Sequence, residues 1–380
     1  MKILFLIRLF WPHGGGVERH VLEVGKRLVE KGHKVTVVTE EVPISKSPPS
    51  RSPFGHLGGA ESTKYQTKAQ SAKSVGSVFG IDIVRHNFGR EDWFKKFRIW
   101  VWLWQNRYLI QQADVVHAHD VFFWYLPFRF LYSRKPVYTT FHGYETKFPP
   151  AKKAIFVRKL SEKLSFGNIC VGDFIEKWYG TKPTYVTYGG VDVHLGRAMA
   201  SQAQPVTIRG AGKKLNIVFI GRLEEDIGIQ IYLRVLDELK KRDIPFEITF
   251  LGDGNYKHEA SKYGEVTTRH YNDTYHYSEL LGNASIIFAS SYLSILSVMA
   301  QKRLVVAVYD NPLKEDYLEM APFAKWIVVG NSPQKLAEKI TYFQKHNSEK
   351  DKLTSAGFNW VKEQTWNKVT DLYFSLWNIK

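Results

Sequence analysis

Apolar positions in this chain fall in short continuous blocks rather than in long alternations. The first block, KILFLI at 2–7, has the pattern of a strand buried on both faces of a parallel sheet. A glycine turn follows, Gly14-Gly15-Gly16, and then Val17, Val21, Val24 and Leu28 recur at helical spacing until Gly32 stops the run. His33 to Thr39 (HKVTVVT) is rich in β-branched residues and predicts a second strand. Strand, glycine loop, helix and strand make a βαβ unit. The grammar continues with IDIVRH (81–86), ADVVHAH (113–119), KPVYTTFHG (135–143) and NICVG (168–172), so the first half predicts a doubly wound α/β sheet.

Two stretches break the pattern. Residues 43–77 are rich in Ser, Pro, Gly and Lys without periodicity and predict a long loop. Residues 193–213 are small, polar and Gly/Pro-containing, the composition of an interdomain linker. Beyond it the blocks resume: LNIVFIG (215–221), a helix through Tyr232, Val235, Leu236 and Leu239, FEITFLG (246–252), ASIIFAS (284–290), a helix through Met299, LVVAV (304–308) and KWIVVG (325–330). Ser332-Pro333 then opens a helix in N-cap and first-turn order. The expected architecture is two Rossmann-like domains facing across a cleft, 1–195 and 213–363, with ligands beyond the carboxyl ends of the strands.

Composition narrows the function classes. Hydrophobic residues at 44% and charged residues at 24% exclude a disordered, collagen-like or coiled-coil chain of 380 residues. One cysteine, Cys170, cannot form an intramolecular disulfide, which favours a reducing, cytoplasmic setting. No apolar run reaches the length of about 18 residues that a membrane span needs, and the apolar start is cut short by Arg8. The net charge of +16 points to phosphate-bearing partners. Trp93, Trp100, Trp102, Trp104 and Trp124 crowd a segment, 93–135, in which aromatics interleave with Lys and Arg. That mixture suits either an aromatic core or the cytosolic face of an anionic membrane on which a peripheral protein lies. Nothing resembling a nucleic-acid-binding motif accompanies it, and nucleic acid is not expected.

The ordered set PHGGGVERHV (12–21), DVVHAHD (114–120), TTFHGYE (139–145), YGGVD (188–192), IGRLEEDIGI (220–229), FLGDG (250–254), ASSYLSILSVMAQKRLVVAV (289–308) and QTWNKVTDLYFSLW (364–377) resembles a family 4 retaining glycosyltransferase with the glycosyltransferase-B fold. The resemblance covers most of the chain. It implies a metal-independent enzyme of glycan biosynthesis that moves a sugar, with retention, from a UDP- or GDP-linked donor to an acceptor. The aromatic-basic segment suggests that this acceptor is lipid-linked or a membrane glycolipid. The segment 364–380 would be the helix crossing back onto the N-terminal domain.

The resemblance also implies roles. Gly14, Gly15 and Gly16 would lie at the donor diphosphate or the acceptor, where backbone N–H groups at a helix N-terminus favour anions. A dinucleotide fingerprint is disfavoured because Arg19 stands where its third glycine belongs. Arg222 would neutralise the leaving nucleoside diphosphate, with Gly252 and Gly254 on the donor side. His142 would face the reacting sugar and the acceptor, with Asp120 nearby on the acceptor side. His117 and His119 read as structural more than functional. The Ser290 to Ser297 segment, with Ser290, Ser291, Ser294 and Ser297, would surround ribose and phosphate. No metal site is expected, since no D-x-D sequence occurs.

Three positions depart from the family pattern. Ile227 replaces a lysine, and Ala289 and Ser297 replace two glutamates. A catalytically impaired binding or partner subunit therefore stays open as an alternative, as does a sugar-nucleotide epimerase on the same fold.

Overall fold

The computed structural model describes residues 1–41, 75–143, 148–192, 214–267 and 274–378. The predicted linker 193–213, Glu145 and most of the predicted loop 43–77 lie outside them. The described chain divides into two units, the first running to Gly189 and resuming at Trp366, the second spanning Gly190–Thr365.

Unit 1 is built on an eight-stranded sheet in the order β3-β4-β2-β1-β5-β6-β7-β8. The strands are β1 (Lys2–Ile7), β2 (Lys34–Glu40), β3 (Val75–Val78), β4 (Ile81–His86), β5 (Val115–His119), β6 (Val137–Phe141), β7 (Asn168–Val171) and β8 (Tyr185–Thr187). All neighbours run parallel except β3, which pairs antiparallel with β4. β3 corrects the loop expected over 43–77, whose last three residues are edge strand. Its sequence, VGSV, is too short to signal a strand; hydrogen bonds along β4 supply the order. β8, at three residues, is likewise too short to carry a period in the sequence.

The apolar blocks became strands because helices cover the sheet. β5 and β6 are buried at every position. Helix Gly16–Glu30 turns His20, Val21, Val24 and Leu28 inward and ends, as its spacing predicted, just before Gly32. Helix Trp366–Trp377 belongs to this unit although some 180 residues separate it from β8 in the sequence. Trp366, Val369, Tyr373, Leu376 and Trp377 are its buried face, and Arg27 and Lys31 of the first helix bond Asn367 and Asp371 at 2.9 and 3.3 Å.

The aromatic segment divides between core and surface. Helix Lys95–Gln105 buries Ile99 and Leu103 on one side, beside Phe122, Trp124, Tyr125 and Phe128 of helix Phe122–Leu131. Its other side and its approach expose Trp93, Phe94, Phe97, Val101 and Trp104.

Unit 2 has six parallel strands in the order β11-β10-β9-β12-β13-β14. These are β9 (Leu215–Ile220), β10 (Phe246–Leu251), β11 (Glu265–Thr267), β12 (Ile286–Phe288), β13 (Leu304–Val308) and β14 (Val328–Gly330). Helix Ile229–Lys241 packs Tyr232, Leu236 and Leu239 onto the sheet. The strand expected over 325–330 is corrected to Val328–Gly330, because Ala324–Trp326 closes a 3-10 turn. Ser332 caps helix Pro333–Lys345 by accepting from Lys335 N, as its position before Pro333 predicted. In both units the strand order reverses beside the first strand, between β1 and β5 and between β9 and β12. Such reversal points are where open α/β sheets bind ligands.

Candidate functional site

At the reversal point of unit 1, four histidines converge. His117 and His119 stand two residues apart on β5, so they share one face of the sheet, over the ring of Phe5 on β1. His20 comes from helix Gly16–Glu30, and His142 follows β6. The rings of His20 and His142 meet edge to face at 4.7 Å, and His119 Nδ1 lies 2.9 Å from His142 Nε2. The sequence reading gave no weight to His20. Its signals are its place inside the segment PHGGGVERHV and a polar residue at helical spacing among Val17, Val21 and Val24.

Hydrogen bonds fix how these rings are protonated. Trp377 Nε1 can only donate, and it reaches His117 Nδ1 at 3.1 Å. A neutral His117 therefore carries its proton on Nε2 and donates to Thr140 Oγ1 at 2.7 Å. The arrangement that uses every hydroxyl proton then runs from Thr140 to Tyr373 Oη at 3.0 Å, and from Tyr373 to His20 Nε2 at 2.9 Å. The chain Trp377, His117, Thr140, Tyr373, His20 begins and ends on different elements, and two of its members belong to the C-terminal helix.

Burial keeps the cluster uncharged. His20 is pushed down to about 3 by loss of solvation. His117, His119 and His142 are likewise held well below the ordinary histidine value, by burial first and by their mutual proximity second. His119 Nε2 is buried without a hydrogen-bond partner among the described residues. His142 is half-buried, and its backbone N–H donates to both carboxylate oxygens of Asp120 at 3.1 and 3.3 Å. Asp120 adopts a left-handed backbone, φ 58°, which aspartate tolerates and which ends β5 with its carboxylate turned to β6. The structure thus brings His142 and Asp120 together and places His20, His119 and Tyr373 beside them. A neutral imidazole held this way can donate to or accept from a sugar hydroxyl.

The glycine loop lies at the same end of the sheet. Gly14 is exposed, Gly15 is the N-cap of the first helix, and Gly16 opens onto free space where a Cβ would meet nothing. The Glu18 carboxylate folds back over Gly15 and bonds His13 Nδ1 at 2.9 Å, which raises the His13 pKa. An acidic group already sits against this helix N-terminus.

At the reversal point of unit 2 the groups are charged. Arg222 follows β9, largely exposed, and pairs with Asp226 at 2.5 Å. Ile227 turns into the apolar core. Gly252 and Gly254 mark where the loop after β10 crosses the loop after β9: a Cβ on either would strike the carbonyl of Gly221 or Leu223. Close chain approach accounts for both glycines without a ligand.

The serines separate. Ser290 is fully buried and ties β12 to β13 and to the Tyr232 hydroxyl at 2.6 Å, so its side chain faces the core. Ser291 and Ser294 bond each other at 2.9 Å across the first turn of helix Tyr292–Met299. Ser297 donates back to Leu293 O at 2.7 Å. Ala289 is buried.

Among the described residues no helix is long and apolar enough to cross a membrane, and no group of three or more His, Cys, Asp or Glu is arranged to hold a metal ion.

Comparison with known proteins agrees with this architecture. The profile of Glycosyltransferase Family 4 matches residues 14–195. The phosphatidyl-myo-inositol mannosyltransferase of Mycolicibacterium smegmatis is 25% identical over 258 residues, 66% of this chain and 59% of that protein, so the match spans under two thirds of the relative's length. Among solved structures, a glycosyltransferase from Rickettsia africae superposes with a TM-score of 0.64 at 16% identity, covering 99% of this chain and 98% of the other. The Anabaena HepE protein in complex with UDP and glucose gives 0.67 at 12% identity, covering 100% and 99%. At such identities the structural likeness speaks to the fold alone. The family 4 match is confined to residues 14–195, and the fold of the chain is that of the glycosyltransferase-B enzymes.

Proposed function

We propose that this protein transfers a sugar from a nucleoside-diphosphate sugar to an acceptor, without metal and with retention of configuration. The observation that carries the reading is the pair of reversal points: one sheet presents cationic Arg222 there, the other neutral His142. A cation suits the developing charge of a leaving diphosphate, and a neutral imidazole suits a sugar hydroxyl. The donor nucleotide is assigned to unit 2 through Arg222 and the Ser291–Ser294 turn. The acceptor is assigned to unit 1 through Gly14 to Gly16, Asp120 and His142. The complexes of the Anabaena protein make UDP the first base to try.

The acceptor is read as lipid-linked, met at the cytosolic face of an anionic membrane. Trp93 and Phe130 are 69% and 68% exposed, too open for core residues. Lys96 lies over the rings of Trp93 and Phe123, and Arg107 over Trp104, so cations accompany the exposed rings. The relative's name, with phosphatidyl-myo-inositol in it, fits such an acceptor.

Thermal unfolding with UDP, GDP, ADP and NAD at millimolar concentration tests the donor site, since a ligand at 100 times its Kd adds about 2.7 kcal/mol. A shift with UDP or GDP is expected, followed by transfer in the presence of EDTA and an α-anomeric product from an α-linked donor. No shift with any nucleotide would sink the reading. Cosedimentation with anionic liposomes at low salt tests the membrane face; a protein that stays in the supernatant removes that part alone.

One observation favours a second reading, a partner subunit without turnover. No carboxylate stands at position 289 or 297, and Ser297 is bonded within its own helix. Donor binding without transfer or donor hydrolysis would select it.

A further inference from the structure

Beside Arg222 stands a second cation that no motif announces. Lys314 lies in helix Pro312–Glu319, just past the end of β13, and is 3% exposed. Its Nζ is 3.4 Å from the carbonyl oxygen of Asp226. That carbonyl belongs to the peptide joining Asp226 to Ile227, so the ammonium sits beside the backbone from which the side chain of residue 227 departs. The Ile227 side chain itself turns away, into the core.

The charged and aromatic groups around Lys314 come from three elements. Asp226 and Arg222 belong to the turn after β9, Asp310 follows β13, and Tyr317 of its own helix places its ring 5.1 Å from the ammonium. Arg222 and Asp226 bond each other and are neutral as a pair. Such a pair attracts a diphosphate weakly unless another positive charge lies within a few ångströms, where the low dielectric of the interior strengthens it. A buried ammonium is costly to keep in a fold. Held at the carboxyl end of a doubly wound sheet, beside its reversal point, it is placed to act on an anion.

We propose that Lys314 supplies the second positive charge of a diphosphate site on unit 2, acting with Arg222 in the place that Ile227 leaves without a cation. The inference rests on the donor reading above and deepens it. Burial lowers the Lys314 pKa to about 8, against the opposing pull of Asp226 and Asp310. Above that value the free protein loses the charge, and an arriving phosphate restores it. Diphosphate affinity therefore falls as pH rises past 8, and binding in that range takes up a proton.

The test is calorimetric titration of the full chain with UDP, GDP, ADP and inorganic pyrophosphate between pH 7 and 9.5, in buffers of differing ionisation enthalpy. The wild-type protein is expected to take up a proton on binding near pH 8.5, a readout that needs no variant. Lys314→Met is expected to weaken binding at pH 7 by about tenfold or more, the loss of a charged contact. Lys314→Arg, which cannot deprotonate in this range, keeps affinity at pH 7 and shows only the ligand's own titration. Wild-type binding without proton uptake, or Lys314→Met binding as tightly as wild type, overturns the assignment while leaving the donor reading intact. A wild-type protein that binds none of the four probes overturns both.

Discussion

The two reversal points share a topology and differ in electrostatics. In unit 1 the ends of β1, β5 and β6 gather imidazoles that burial keeps neutral, two of them, His117 and His20, fixed in direction by a hydrogen-bond chain that starts on the C-terminal helix and ends on helix Gly16–Glu30. In unit 2 the ends of β9 and β13 gather Arg222, Asp226 and Lys314, with the arginine open to solvent. On the proposed reading, the difference lets one sheet order serve two ligand chemistries. Directional neutral donors discriminate hydroxyls, while charge placed near a low-dielectric wall neutralises phosphate. Loss of solvation lowers the basic pKa values on both sides, yet only a group starting as high as lysine keeps its charge at neutral pH.

The contrast can be broken most severely with acid. His20, His117, His119 and His142 have folded-state pKa values below their unfolded ones, so the unfolded chain binds more protons wherever pH lies below about 6.5. Stability is thus fully present above that value and falls as pH drops through it, by about 1.4 kcal/mol per histidine per pH unit. Thermal unfolding from pH 7 to 5 is expected to show a falling Tm, and His20→Phe a shallower slope; equal slopes would mean that the cluster does not stay neutral. Next in size, Arg222→Ala is expected to lower the transfer rate by about 10²–10³, as for loss of one transition-state donor. Its Tm should barely move, because the side chain is exposed. His142→Gln should cost about 10² in kcat. Its KM for the nucleotide sugar should hold, because the residue belongs to unit 1 and the proposed donor site to unit 2. A matching rise in KM would erase the division of labour between the units.

Much of the frame was readable in the chain. KILFLI, VVHAH and LVVAV became parallel strands buried at every position but Lys2, because continuous apolar blocks have nowhere else to go in a doubly wound sheet. The helix stop at Gly32 and the Ser332 cap followed from local backbone chemistry. Short edge strands escaped notice, since three or four residues hold no period and gain order only from a neighbour.

At the sites the balance shifts. His142, Asp120 and Arg222 sit just past strand ends, a placement already legible in the sequence because each follows an apolar block. The order of apolar blocks and glycine turns determined two doubly wound sheets, because strand burial and turn geometry are local consequences of residue type. Which polar residues would be neutral, charged or hidden was decided only by tertiary packing. His20 became part of a buried chain through Tyr373, 353 residues away, Ser290 turned into the core beneath Tyr232, and Lys314 came to rest against Asp226, 88 residues earlier. Solvation and partner distance set the protonation and reach of such groups, and neither exists until the chain has folded.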